Sequence, residues 1–260
     1  MISRVAATRS LLAIFLALPL AAQAPATPGL PSAESILDRY VEATGGKAAY
    51  EQRTSEVAKG VLEFPAQGLK GAITRYSASP GRYFASLDIP GLGAIEMGVK
   101  DGVAWENSLV LGPRIKSGTE RAEALREATL NSTLLWRDLY PQVETVGTDT
   151  VNGEECFLVR MTPAEGSPQT MCFSKATGLG LKISTTAANQ MGDVPVEMII
   201  ASYKNFGGIL APERLTQKAA GQEMSIVIQS IEVNAAIPEK QFDLPAAVEV
   251  LRARQLKQTK

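Results

Sequence analysis

The chain of 260 residues contains no histidine and only two cysteines. Without an imidazole, neither Ser-His-Asp nor Cys-His catalysis has a group near its pKa to take and return a proton. Catalytic zinc sites of the usual kind lose their ligands as well, and no Cys-x-x-Cys pair replaces them. Carboxylate or lysine chemistry is what remains, and no converging pair announces it. Glu154 and Glu155 are neighbours on one strand and so point to opposite faces. Glu213 and Glu223 read as solvated edges. Gly91-Leu92-Gly93 lacks the third glycine and the helix of a phosphate loop, and reads as a hairpin turn. The chain is therefore read as a non-enzyme with no metal, nucleotide or other cofactor.

Basic tracts are also missing. With 26 basic and 27 acidic residues the charges nearly cancel, so nucleic acid and anionic membrane surfaces are poor partners. Long apolar runs are absent beyond residues 11–22 (LLAIFLALPLAA), which fall short of the roughly 20 residues of a membrane-spanning helix. That run follows Arg4 and Arg9 and precedes small-residue motifs at Ala22-Gln23-Ala24 and Ala24-Pro25-Ala26. Such an order is that of a secretory signal peptide, assigned to residues 1–24, and cleavage after Ala22 or Ala26 is favoured over cleavage after Ala24, which would leave Pro25 at the new N-terminus. No cysteine stands there to carry a lipid anchor. The expected protein is exported to the periplasm, free of the membrane.

In an exported protein Cys156 and Cys172 can pair. Both lie in strand-like segments joined by a turn-rich stretch, and a hairpin centred near Ala164 would set them opposite each other. A disulfide and two buried free thiols both fit this pattern. Without an imidazole to activate it, neither thiol suits catalysis.

Residues 25–31 (PATPGLP) form a leader rich in proline and glycine. Ser32 then caps a helix whose Ile36, Leu37, Tyr40 and Val41 form an apolar stripe, ended by Gly45 and Gly46. From Ser55 the apolar period becomes two. Strands are expected over 69–78, 82–89, 94–100 and 103–107, with turns at Ser79-Pro80-Gly81, Pro90-Gly91 and Asp101-Gly102. A helix capped by Thr119 and a second, apolar one capped by Ser132 (TLLWRDLY) interrupt the strands. Asn131-Ser132-Thr133 has the letters of a glycosylation sequon but reads as the junction of these helices. Strands resume over 148–151, 154–161, 169–174, 179–186, 194–204, 209–217 and 223–234, with Asn152-Gly153 as a tight hairpin turn. Several are apolar on both faces, as at Met198-Ile199-Ile200 and Ile226-Val227-Ile228. Such a sheet is covered on both sides, or covers something that is not protein. Residues 246–260 read as a short basic helix or a frayed end.

The order of elements, the ending Thr44-Gly45-Gly46, the hairpin CFLVRMTP, the strand end FSKATGL and the late block IPEKQFDLP (237–245) resemble the periplasmic lipoprotein-sorting carriers and their relatives of the LolA, LolB and LppX fold. The likeness spans roughly residues 32–245, expected as a single domain. It implies a mainly β (α+β) fold: a strongly curved antiparallel half-barrel of 11–12 strands, its open side covered by helices. It further implies a cavity that holds a lipid or the acyl chain of a lipoprotein, with a cavity arginine assisting transfer; Arg75 and Arg82 are the candidates. Tyr76, Phe84 and Trp105, together with Leu134, Leu135, Trp136 and Leu139 of a greasy lid, are candidates for the cavity wall, although each aromatic also suits a core. The expected function is that of a soluble carrier or sensor of a hydrophobic ligand, with an envelope protein as a further possible partner. The alternative is a structural or interaction module with a filled interior, which a cavity below roughly 300 Å³ would favour.

Overall fold

The computed structural model describes residues 29–91, 93–189 and 192–258. The signal sequence and its cleavage motifs lie outside the described residues. Helix α1 (Ala33–Ala43) begins where Ser32 Oγ accepts the backbone N–H of Ser35 at 3.2 Å. Its apolar stripe, Ile36, Leu37 and Val41, is buried. Gly45 follows at φ 139°, and a Cβ there would come within 2.8 Å of the Gly208 carbonyl oxygen. Only glycine permits that approach, which is sealed by a bond from Leu210 N–H to the Thr44 carbonyl at 2.9 Å. Beyond it the chain does not enter a strand but turns into a second helix, α2 (Gly46–Glu51), unsuspected from the sequence.

Thirteen strands follow, two more or one more than the expected 11–12. The first wing is β1 (Ser55–Phe64), β2 (Leu69–Ala78), β3 (Arg82–Ile89), β4 (Gly93–Lys100), β5 (Val103–Ser108) and β6 (Gly112–Ile115). After helices α3 (Gly118–Glu127) and α4 (Trp136–Leu139) comes the second wing. It consists of β7 (Gln142–Val151), β8 (Glu154–Thr162), β9 (Gln169–Ser174), β10 (Gly180–Asn189), β11 (Gly192–Phe206), β12 (Ile209–Ala219) and β13 (Gln222–Val233). Every pairing is antiparallel, in the order β6-β5-β4-β3-β2-β1-β13-β12-β11-β10-β9-β8-β7. The first and last strands thus join the two wings, while β6 and β7 remain as edges and the sheet does not close into a barrel.

Side chains alternate across a strand, so the register sorts every residue to one face. Glu56, Ala58, Gly60 and Leu62 of β1 share the inner face with Ser77, Arg75, Ile73 and Gly71 of β2. From there the inner rows continue to Tyr83, Ala85 and Leu87 of β3 and to Val99, Met97 and Ile95 of β4. Helix α3 covers the outer part of this wing, with Ala124, Leu125 and the following Ala128 on Tyr83, Ala85 and Val99. On the second wing α1 and α4 lie over Val159, Met161, Met171 and Phe173. The N-cap of helix α3 is Ser117 rather than Thr119, and α4 is a single turn of four residues rather than the eight-residue helix expected from Ser132. Asn131 is the reason the junction is compact: its amide donates to the carbonyls of Tyr50 and Arg53, and its Oδ1 accepts from Arg53 Nε at 3.0 Å.

The outer face of the first wing is covered by the C-terminus. A 3-10 turn (Glu239–Phe242) and helix α5 (Ala246–Gln258) pack there, α5 lying against the edge strand β6 and leaving that edge less open to further pairing. Residues 246–258 are therefore helical, with Val248 fully buried.

Candidate functional site

The register divides the two candidate arginines. Arg75 faces the hollow, whereas Arg82 lies on the outer face, pairs with Glu239 and stacks on Phe242 at 5.4 Å. Tyr76, Phe84 and Trp105 also belong to the outer face: Tyr76 faces Phe84 across the β2–β3 ladder, and Trp105 faces Gly98, itself the partner of Phe84. Their rings follow one another at 6.1 Å centroid spacing. These three aromatics and Arg82 are thus assembled away from the hollow.

A second group meets at the inner face. Leu134, Trp136 and Leu139 pack on the core beneath α1, while Leu135 stays exposed. Trp136 is the one member of the expected set that lines the cavity of 320 Å³ between the helices and the second wing. The apolar wall of this cavity is formed by Leu37, Tyr40, Trp136, Met161, Met171, Phe173 and Ile183, and its polar rim by Glu123, Arg126, Glu127 and Gln169. Tyr40 meets Phe173 edge-on at 5.2 Å. Burial pushes the Tyr40 phenol well above its ordinary value, and it raises that of Tyr203 to about 12. Both stay neutral and donate rather than carry charge.

The rim is built from groups with structural partners. Glu123 accepts the backbone N–H groups of Ser167 and Ala188, each at 3.3 Å, so one carboxylate spans the β8–β9 turn and the end of β10. Arg126 donates to the Glu165 carbonyl at 3.1 Å and lies over the Tyr140 ring. Glu127 accepts the Tyr83 hydroxyl at 3.0 Å. The Tyr83 phenol is raised first by burial and then by that carboxylate. Helix α3 is in this way fastened across the hollow from one wing to the other.

Deeper in the hollow, Glu56 is buried between Arg75, at 2.6 Å, and Arg53, at 3.2 Å. Burial alone would lower the pKa of Arg75, but Glu56, Tyr83 and Glu127 outweigh it and the net shift is upward. The Arg75 side chain is still 40% open to solvent, so the hollow beside it is wet.

Among the described residues no helix packs closely over the middle of the inner face, although Leu62 and Ile200 there are themselves buried. Leu62 is followed across the junction of the wings by Ile226, Leu215 and Ile200. A parallel row runs from Val159 through Met171, Ile183, Met198 and Gln217 to Met224. Two residues of this second row, Met171 and Ile183, line the cavity. Ile73, Leu87, Met97, Met198, Leu215, Met224, Ile226 and Ile228 are only half-buried. A strip of aliphatic and methionine side chains thus leads from the cavity along the open concavity.

Cys156 and Cys172 are disulfide-bonded on the outer face, with a Cα–Cα separation of 5.6 Å. The hairpin centres on Glu165 rather than Ala164, because Met161 faces Gln169; Leu158, not Cys156, is directly opposite Cys172. The bond lies against Val151, Leu158, Leu181 and Ile199, away from the cavity. Among the described residues no group of three or more acidic or cysteine side chains could hold a metal ion.

Among the solved structures similar to this chain are two that it matches over nearly their whole length. A DUF1329 family protein from Desulfovibrio piger superposes with a TM-score of 0.58 at 14% identity, covering 83% of this chain and 98% of that one. A LolA superfamily protein from Nitrosomonas europaea gives 0.57 at 14% identity, covering 83% and 99%. The fold is LolA-like. No protein-family model matches the chain, and no curated protein matches it. At such identity the likeness concerns the LolA-like half-barrel itself, not what occupies it. The residues that sequence reasoning missed at the site, Met161, Met171, Ile183 and Glu123, sit in strands and a helix whose period was legible. What was missing was the side of the sheet on which the helices lie.

Proposed function

We propose that the protein is an exported, periplasmic carrier or sensor that binds a lipid, an acylated protein or another hydrophobic molecule within the LolA-like half-barrel. The observation that carries this reading is the uncovered aliphatic strip of the inner face, continuous in register with the 320 Å³ cavity. Affinity would come from apolar area removed from water, at roughly 25 cal/mol per Å². The signal-like N-terminus supports export, and no helix among the described residues is long and apolar enough to cross a membrane.

The cavity volume favours a second reading in one respect. At 320 Å³ it lies at the low end of the roughly 300–1,000 Å³ typical of ligand sites. A long acyl chain would have to extend along the open strip rather than fit inside. A module with a filled interior, acting through an envelope partner, is the alternative. Native mass spectrometry of the exported protein distinguishes them: a carrier retains co-purified lipid, or takes up a fluorescent fatty acid after delipidation and refolding. Protein that is empty and takes up none is the filled module.

A further inference from the structure

The cavity and the strip that leads from it differ in chemistry. Four residues lining the cavity are aromatic, Tyr40, Trp136, Tyr140 and Phe173, and Met161 and Met171 join them. The strip beyond Ile183 runs from Met198 by way of Gln217 to Met224, and beside it from Ile200 through Leu215 and Ile226 to Leu62, with no ring among them. The rings of the cavity are held by the protein itself. Trp136 and Tyr140 are one helical turn apart, joined by a backbone bond of 2.9 Å. Arg137 lies over the Trp136 ring at 4.1 Å and is anchored to Asp38 of α1 by two bonds of 2.8 Å. The charged groups of the rim are engaged in the same way: Glu123 with two backbone amides, Arg126 with the Glu165 carbonyl, Glu127 with Tyr83. By contrast, the hydroxyls of Ser132 and Thr133 and the Oε1 of Gln169 line the cavity without a partner among the described residues.

We infer that the ligand is a neutral ring-headed lipid: a planar ring bearing hydroxyl or carbonyl oxygen sits in the cavity, and an aliphatic tail lies along the strip. The inference rests on the carrier reading and narrows its ligand class. A flat ring packs edge-on or offset against aromatic walls and meets methionine sulfur, contacts that a flexible chain makes less well. It also loses less rotational freedom than a chain when it is fixed. The unpartnered hydroxyls and amide oxygen suit oxygen substituents on such a ring. A carboxylate or phosphate head would instead meet two carboxylates and one guanidinium that is already engaged. Arg75, paired with Glu56 deeper in the hollow, is not among the residues that line the cavity. A plain acyl chain matches the strip and leaves the aromatic cavity unused.

Hexylphenol and dodecanol have the same number of carbons and one neutral oxygen each, and apolar transfer alone favours dodecanol. Competition against a fluorescent fatty acid on the delipidated full chain should nevertheless show hexylphenol bound at least about fivefold more tightly. Ile183→Phe, which puts a ring of the protein's own at the cavity wall, should abolish that preference and leave dodecanol affinity within about twofold, with the melting temperature reporting the fold. A second readout needs no change at the cavity. The chain has two tryptophans, and Trp105 lies on the outer face, so Trp105→Phe leaves Trp136 as the only indole. Its emission should change with hexylphenol and not with dodecanol. Dodecanol bound as tightly as hexylphenol, a preference that survives in folded Ile183→Phe, or Trp136 emission indifferent to hexylphenol each overturns the inference while the carrier reading stands. A fluorescent fatty acid that binds and is displaced by neither compound overturns it as well. No uptake of the fatty acid and no binding of either compound strikes the carrier reading itself.

Discussion

Gly98 lies beneath the indole of Trp105, and a methyl group there would come within 2.8 Å of three ring atoms. Gly98→Ala should push Trp105 out of its place over the sheet and cost about 1–3 kcal/mol through overpacking. A shift of the urea midpoint to lower concentration checks this; an unchanged midpoint would show that the ring moves freely. Glu56 poses the opposite problem. Its removal leaves Arg53 and Arg75 facing each other without the carboxylate that pairs with both, and with only Glu127 still acting on Arg75. Breaking such a buried pair typically costs about 3–5 kcal/mol, and the lower end applies because Arg75 is partly wet. Glu56→Ala should therefore destabilise by about 3 kcal/mol, and restoring most of that loss in the double variant with Arg75→Met would confirm the origin.

At the level of elements, α3 is a strap fastened at Glu123 and Arg126. Glu123→Ala strips the Ser167 and Ala188 amides of their acceptor, so both should exchange hydrogen faster, with the fold retained. Protection unchanged at these two amides would mean that the strap is held by other contacts. The strands themselves were largely legible, because alternation and turn residues mark them locally. Strand β6 was not, since four residues with a proline carry no period, and α2 was hidden behind the Gly45-Gly46 pair that reads as a stop. The faces were within reach of sequence reasoning, but only by combining turns. A β2–β3 hairpin centred on Pro80 places Tyr76 opposite Phe84; one centred on Gly91 sets Phe84 opposite Gly98. A third, between Asp101 and Gly102, brings Gly98 to Trp105. Arg75 and Tyr76 are then separated by a single residue of register, and which side is concave depends on helices that pack from distant parts of the chain.

On the scale of the whole molecule, the absence of histidine has a thermodynamic consequence. No side chain titrates ordinarily between pH 5 and 8, so stability should be nearly constant there. Below that range two carboxylates matter. Arg137 beside Asp38, and Lys182 beside Asp149, hold these groups below the usual aspartate value. A depressed folded pKa contributes stability that is present above the unfolded value, near 4, and is lost as pH falls through the folded one. Melting temperatures should accordingly form a plateau from pH 5 to 8 and decline below about pH 4; a slope within the plateau would reveal an unrecognised titrating group.

The central claim is that the uncovered strip of the inner face is a binding surface rather than an incidental hollow. Ile226 sits at its centre, half-buried, in line with Leu62 and Leu215. Titration of the delipidated protein and its Ile226→Lys variant with a fluorescent fatty acid tests the claim directly. The account predicts saturable uptake by the unmodified protein and a loss of at least about tenfold in the variant, with circular dichroism unchanged. Equal uptake by both proteins would place the ligand elsewhere, and no uptake by either would contradict the account.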